Sequence, residues 1–324
     1  MTAPTGRRIA IVLFNLGGPD GQEDVKPFLF NLFNDPAIIG LPGFLRTPLA
    51  RLIARRREAT AQANYALMGG GSPLLAETRA QAGALQAVLG ERLPDDEIRA
   101  FVAMRYWSPL SEETAAEVAA FGPDEIVLLP LYPQFSTTTT ESSLKRWSEV
   151  YAGSGASRVV CCYPEAAGWI EAQAQAVRDG LAQAGDRPAR VLFSAHGIPE
   201  RLIAGKGDPY QEQVEVTCAA IAAAAGLEDW SICYQSRVGP MKWLGPSTPE
   251  AIAQAGRDGV GAVVVPVAFV SEHSETLVEL DRELRHVAEQ SGVASYHRVP
   301  TVDDGPAFVA GLARLVREAL GERS

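Results

Sequence analysis

About eight short apolar runs punctuate this chain, each followed by a stretch long enough to form a helix. They lie at residues 9–14, 98–105, 125–131, 158–163, 190–194, 230–234, 261–269 and 294–299. Parallel neighbours need a long crossover to bring the chain back, so strands alternating with helix-length segments predict βαβ units and an α/β fold. The run Val263-Val264-Val265-Pro266-Val267 is apolar at consecutive positions, as a strand covered on both faces requires.

The runs also pair across the two halves of the chain. The first ends in Asn15-Leu16-Gly17-Gly18-Pro19 and the fifth in Ala195-His196-Gly197-Ile198-Pro199. The second leads to Arg105-Tyr106-Trp107-Ser108-Pro109, the sixth to Gln235-Ser236-Arg237-Val238-Gly239-Pro240. Leu129-Pro130-Leu131 answers Val265-Pro266-Val267, and Tyr163-Pro164 answers Val299-Pro300. This pattern predicts a duplicated four-stranded unit: one domain over residues 1–165, a second over 166–324, and a last helix packing back on the first. A cleft walled by the carboxyl ends of both sheets is then expected between them, because ligands bind at those ends in parallel sheets.

A net charge of -10 excludes a nucleic-acid partner, which needs a basic surface to displace counterions. No apolar run approaches the ~20 residues that cross a bilayer, and no signal peptide is read at the N-terminus. Cys161, Cys162, Cys218 and Cys233 make no metal-ligand spacing and read as buried reduced thiols of a cytoplasmic protein.

Chemistry-bearing residues gather after the seventh run, at Ser271, Glu272, His273, Glu275, Glu279 and Asp281. On a helix, Glu275 and Glu279 share a face, where their like charges repel and give a purely structural helix nothing. His196 stands at the tip of the fifth run beside Gly197, the place for a base. His286 and His297 read as structural. Residues 28–57 are rich in Phe, Leu and Ile, interrupted by prolines, and end in arginines. Two readings stand: a helix pair packed on its own core, or an exposed apolar lip that covers a greasy ligand or meets a membrane. Gly69-Gly70-Gly71-Ser72-Pro73 lacks the lysine of a phosphate loop and reads as a turn that brings backbone close to a ligand or another segment. The hydroxyl-rich stretch from Ser136 to Ser143 reads as an exposed loop that binds anionic groups or caps the next helix.

Taken together and in order, Ser194-Ala195-His196-Gly197-Ile198-Pro199, Tyr234-Gln235-Ser236-Arg237-Val238-Gly239-Pro240, Trp243-Leu244-Gly245-Pro246 and Ser271-Glu272-His273-Ser274-Glu275-Thr276-Leu277 closely resemble the signature segments of the ferrochelatase family. Leu16-Gly17-Gly18-Pro19, the Gly69 run and Tyr132-Pro133-Gln134 are similar to its N-terminal segments, and the resemblance runs from about residue 9 to about residue 317. It implies two Rossmann-like domains, each a four-stranded parallel sheet flanked by helices, around a porphyrin cleft. The implied reaction is insertion of ferrous iron into protoporphyrin IX, the last step of haem synthesis.

By position, the resemblance makes His196 and Glu275 the active-site pair. Glu279 and Glu272 extend an acidic, metal-handling line on a helix with a widened turn. Arg105 and Tyr106 line the opposite wall, Arg57 and Ser72 lie near the propionates, and Ser236, Trp243 and Leu16 contact the porphyrin. Leu16 stands where some relatives carry a metal-reaching tyrosine, which favours protoporphyrin over coproporphyrin. No permanently bound cofactor is implied, and a [2Fe–2S] cluster is not supported, since the stretch at Ser136-Thr137 and the end at Ser324 lack its cysteines. A monomer is expected, with peripheral contact at the cytoplasmic face of the inner membrane as one use of the lip.

The residue types add a mechanism. Neutral imidazole suits His196 as acceptor of pyrrole protons. The Glu275–Glu279 line is placed to guide iron in or protons out, with proton affinities raised by mutual repulsion. The rival readings are a chelatase for another metal or tetrapyrrole (coproporphyrin, or cobalt or nickel into a precorrin-type ring) and a non-catalytic tetrapyrrole-binding protein.

Overall fold

The computed structural model describes residues 6–185, 187–237 and 241–322. Val238, Gly239 and Pro240 of the segment expected to follow the sixth strand lie outside the described residues, as do residues 1–5 of the N-terminal leader. All eight expected strands are present among them: β1 (Arg8–Asn15), β2 (Glu97–Met104), β3 (Glu125–Pro130), β4 (Ala156–Val159), β5 (Ala189–His196), β6 (Trp230–Gln235), β7 (Gly261–Pro266) and β8 (Tyr296–Arg298). They form two parallel four-stranded sheets, ordered β2-β1-β3-β4 and β6-β5-β7-β8. The identical order is what duplication of one unit produces. The duplicated parts align differently after the second strand of each set, however. Met104 N–H donates to the Pro109 carbonyl and Tyr234 N–H to the Pro246 carbonyl, so Pro109 corresponds to Pro246 and not to Pro240.

The chain divides into two compact units, one of Met1–Tyr132, Ser136–Cys162 and Leu312–Ser324, the other of Pro133–Phe135 and Tyr163–Gly311. A single cut at residue 165 does not describe this division. The Gln134 amide donates to Thr217 Oγ1 and to the Val267 carbonyl, which ties its tripeptide to the second unit. At the far end Glu322 accepts from Arg7, within the first.

In the first unit β1 is buried along nearly all its length. On one face of the sheet Ala10, Val12, Phe14, Phe101, Ile126 and Leu128 pack against Ala115, Val118 and Phe121 of helix Ser111–Phe121 and against Trp147 of helix Thr140–Val150. Each large apolar side chain taken from water there contributes about 1.5–3 kcal/mol. The stretch 28–57 packs a core of its own and also leaves apolar side chains exposed. Val25, Phe28, Leu29, Ala54 and Tyr65 form a small core between helices Val25–Phe33 and Gly43–Ala66. Leu41, Phe44, Leu45 and Leu52 remain outside, Phe44 with 78% of its surface in solvent.

The hydroxyl-rich stretch is not an exposed loop, because Ser136, Thr140, Ser142 and Ser143 are all buried. The glycine run does meet another segment. A Cβ at Gly71 would lie 2.3 Å from the Asp20 carbonyl oxygen, and Ser72 N–H donates to the Pro19 carbonyl. The cysteines are free, but Cys161 is exposed and Cys162 half-buried, so only Cys218 and Cys233 fit the buried-thiol reading.

In the second unit β7 is buried at every residue. One face of the sheet, with Leu192, Cys233, Ala262 and Val264, packs on Ala251 and Ile252 of helix Thr248–Arg257 and on Leu284 and Ala288 of helix Leu284–Gln290. Helix Ala167–Ala184 covers the other face and brings Gly180 against Val263 and Val299. Its first turn touches helix Pro306–Ala319 at a pair of glycines, where a Cβ on Gly168 would stand 2.6 Å from Gly311 Cα and 2.8 Å from the Ala307 carbonyl oxygen. Gly168→Ala should therefore lower stability by about 1–3 kcal/mol through overpacking. A denaturant midpoint unchanged from wild type would contradict this contact.

Candidate active site

The sheet order places a topological switch in the second unit between β5 and β7, whose outward connections run opposite ways. His196 is the last residue of β5, and the loop after β7 leads into Glu275 at the head of a π-helix, Glu275–Glu283. A π turn bonds i to i+5 and is wider than an α turn. The widened turn implied by the family resemblance is therefore present. Glu275 and Glu279, four apart, both face Ser236.

His196 Nδ1 lies 2.7 Å from Glu275 Oε2. An ionised carboxylate only accepts, so Nδ1 carries a proton in either state of the ring, and in the neutral form the free lone pair is on Nε2. The Ser236 hydroxyl stands 3.0 Å from Glu275 Oε2 and 2.6 Å from Glu279 Oε2, bridging the two carboxylates. Ser236 N–H also donates to Glu279 Oε1 at 2.8 Å. Ser236 adopts φ +60°, a left-handed conformation unusual outside glycine. Such strain persists only where surroundings hold it, and here both polar atoms of one residue are turned onto one carboxylate.

Partners at the back hold these groups in place. The Tyr210 hydroxyl donates to the His196 carbonyl at 3.0 Å, and the Gln235 amide donates to the Glu275 carbonyl, also at 3.0 Å. Gln235 Oε1 in turn accepts from the buried Ser194 hydroxyl, which lies 2.8 Å from Thr248 Oγ1. Phe269 stands edge-on to both His196 and His273. His273 Nε2 is 4.0 Å from Glu275 Oε2, while its Nδ1 is near the Ser271 carbonyl.

Proton affinities are split in this cluster. Burial opposes a charge on His196, but the Glu275 carboxylate outweighs it and raises the imidazole above its ordinary value. Burial likewise opposes ionisation of Glu275, and the charge and hydrogen bond of His196 reverse this, pulling the carboxyl down to about 2. Glu279 is pushed up, by burial and then by the Glu275 charge. His273 is lowered, chiefly by burial. Mutual repulsion thus raises one carboxyl of the pair and not both, because His196 claims Glu275. Even so, 39% of the His196 side chain and 28% of the Glu275 side chain remain open to an incoming molecule.

Other expected site residues lie elsewhere. Glu272 does not join the acidic line. Its carboxylate pairs with Arg298 and accepts from Thr301 N–H, apart from Glu275 and Glu279. Among the described residues no three His, Cys, Asp or Glu side chains form a ready metal cage. Trp243 is half-buried, bridges in backbone to Pro199, and packs beside Gly197 next to His196.

In the first unit Tyr106 is 1% exposed, with its hydroxyl donating to Asp35 at 2.9 Å, so it is a core residue and not a wall. Arg105 pairs with the same buried carboxylate at 2.6 Å, and the Ser142 hydroxyl donates to it at 2.7 Å. Leu16 packs on the small core around Val25 and Phe28. Arg57 is exposed and lies over the Phe33 ring, and Ser72 Oγ accepts from Leu74 N–H at the start of helix Leu74–Arg92. Sequence reading missed Asp35, Tyr210, Gln235 and Phe269 as parts of these networks, and it named His273 in the cluster without giving it a role. Only His273, inside the acidic cluster, carried a local signal.

Comparison with known proteins gives one answer. The family model described as Ferrochelatase matches residues 8–320. A ferrochelatase of Phenylobacterium zucineum is 59% identical over 316 residues, 97% of this chain and 92% of that protein. One from Caulobacter vibrioides is 57% identical over 318 residues, 98% of this chain and 91% of its own. Among solved structures, SirB from Bacillus subtilis with Fe3+ superposes with a TM-score of 0.54 at 12% identity, covering 96% of this chain and 95% of its own. CbiX, the terminal enzyme for siroheme biosynthesis in denitrifying bacteria, gives 0.51 at 16% identity, covering 97% and 99%. At those identities the two structures bear on the fold, which is that of chelatases. The sequence relatives and the family model carry the assignment further: this chain belongs to the ferrochelatase family.

Proposed function

We propose that this chain inserts ferrous iron into protoporphyrin IX to form protohaem. The observation that carries this reading is the 2.7 Å contact of His196 with Glu275, continued through Ser236 to Glu279. Insertion of a divalent ion into a neutral porphyrin releases two protons, so the site needs an acceptor and a way out. The neutral form of His196 accepts a pyrrole proton at Nε2 while its Nδ1–H keeps donating to Glu275. The ionised Glu275 stabilises the imidazolium that forms. Glu279, with its higher proton affinity, is the next acceptor, reached through the Ser236 hydroxyl. Carboxylate oxygen suits a hard divalent ion and releases it readily, so Glu275 and Glu279 also serve iron on its way to the ring.

Turnover of ferrous iron with protoporphyrin, followed by the change in the Soret band over many cycles, is the direct test. A protein that binds porphyrin but never completes more than one cycle would be the non-catalytic binding protein instead. His196→Ala should lower turnover roughly 100-fold or more while porphyrin still binds. Near-normal turnover would remove His196 from the acceptor role. For Glu275→Gln a loss of similar size is expected, since the amide leaves the forming imidazolium without its counter-charge. Retained kcat would move the carboxylate function elsewhere.

The reading extends to a membrane surface. Among the described residues no helix is long and apolar enough to cross a bilayer. The apolar tip of Leu41, Phe44, Leu45 and Leu52 continues along helix Gly43–Ala66 into exposed Arg51, Arg55 and Arg56. That arrangement seats a peripheral protein on anionic headgroups. Co-sedimentation with phosphatidylglycerol vesicles at low salt is expected, and Phe44→Ser with Leu45→Ser should abolish it. Wild-type protein left in the supernatant would end this part of the reading.

A further inference from the structure

The π-helix that presents Glu275 and Glu279 is nine residues long, and a turn this wide persists only where its surroundings hold it open. The last strand of the second unit supplies that hold. The Tyr296 hydroxyl donates to the Leu280 carbonyl at 2.6 Å, inside the widened stretch. Arg298 faces Asp281 with two nitrogens, Nε donating to Oδ1 at 2.9 Å and Nη2 pairing with Oδ2. Its remaining nitrogen, Nη1, pairs with Glu272, three residues before the helix begins. Arg285, just beyond the helix, returns a bond to the Tyr296 carbonyl at 3.2 Å. Only 9% of the Arg298 side chain is exposed, so its two acidic partners are held in a poorly screened setting where a guanidinium fork is worth most.

None of these atoms touches His196, Glu275 or Glu279. They grip the segment immediately before Glu275 and the turn immediately after Glu279, and so bracket the two carboxylates. From this we infer that Arg298 and Tyr296 are positioning residues that hold the π-helix in the register in which Glu275 reaches His196. The role also accounts for Glu272, an acid spent on the brace and not on metal. The inference rests on the proposed metal-insertion reading for its catalytic consequence, but its structural part does not.

Two measurements on the full chain separate these. Hydrogen–deuterium exchange of peptides covering residues 275–290 reads the brace without any turnover. In Tyr296→Phe, which removes one oxygen, exchange there should quicken by roughly three- to tenfold, the effect of one hydrogen bond. In Arg298→Met it should quicken more, and Arg298→Lys should recover part of the difference. Kinetics then read the consequence. In Arg298→Met kcat should fall by about 100-fold, as a displacement near 1 Å costs, while KM for porphyrin and porphyrin affinity by fluorescence stay within about twofold.

Unchanged exchange over 275–290 in Arg298→Met would overturn the inference. So would a loss of porphyrin affinity in step with kcat, which marks general damage to the fold. If Arg298→Met fails to fold, Tyr296→Phe and Arg298→Lys decide by the same two readouts. A wild type that exchanges slowly here but never metallates porphyrin would sink the functional reading and leave the brace standing.

Discussion

A single hydrogen bond, from the imidazole at the tip of β5 to the first carboxylate of the π-helix, sets the character of the second unit. It joins the end of a central strand to a helix that begins nearly 80 residues later in the chain. Several features around it serve this meeting. The β5–β7 switch leaves room at the carboxyl ends of the strands, and the left-handed Ser236 turns its hydroxyl and amide toward the same pair of acids. Gln235 and Tyr210 fix the backbone carbonyls of the two partners. Because the imidazole favours ionised Glu275 and Glu275 favours protonated His196, each group defines the state of the other, and Glu279 is left with the higher affinity for a proton.

Much of this was readable before any coordinates. Alternating strand and helix lengths gave the fold class, and the paired runs anticipated two four-stranded sheets, because burial on both faces leaves so strong an apolar signature. His196 was legible as the polar residue that ends an apolar strand beside glycine. Glu275 and Glu279 were legible from their spacing. What could not be read was partnership over distance. Glu272 looked like a third member of the acidic line until Arg298, 26 residues on, claimed it. Tyr106 looked like an aromatic wall until Asp35, within the apolar stretch 28–57, took its hydroxyl. Local sequence records what a residue offers, and the fold decides what answers it.

Asp35 shows how the first unit uses the same rule. Its carboxylate, almost wholly buried, collects Arg105 and Tyr106 from the end of β2, Ser142 from the helix after β3, and the Ala37 amide of its own turn. A buried carboxylate with four donors is satisfied and rigid, whereas loss of its charged partner Arg105 would leave a buried charge uncompensated at a cost of about 3–5 kcal/mol. That corner is the root of the segment carrying the exposed Leu41, Phe44 and Leu45. An apolar tip in water gains nothing by itself and tends to collapse onto the surface that carries it. Its root is held by a salt bridge and three hydrogen bonds at Asp35.

The two units thus apply one device to opposite ends. In the first, a buried acid braces an apolar projection, and in the second, a buried guanidinium braces an acidic one. The sign follows from what must be left free. In the first unit Arg105 and Asp35 neutralise each other out of sight, and the projection's tip is left apolar. The proposed proton route needs two carboxylates kept available, and the acids on either side of them, Glu272 and Asp281, share Arg298, whose single positive charge offsets one of their two negative charges. Were those two left unpaired, four carboxylates would crowd within about ten residues of chain, and repulsion would favour protonation across the whole line. By tying both outer acids to one guanidinium and so halving their net charge, the fold weakens their pull on the contest for protons among His196, Glu275 and Glu279, where the proposed chemistry needs it.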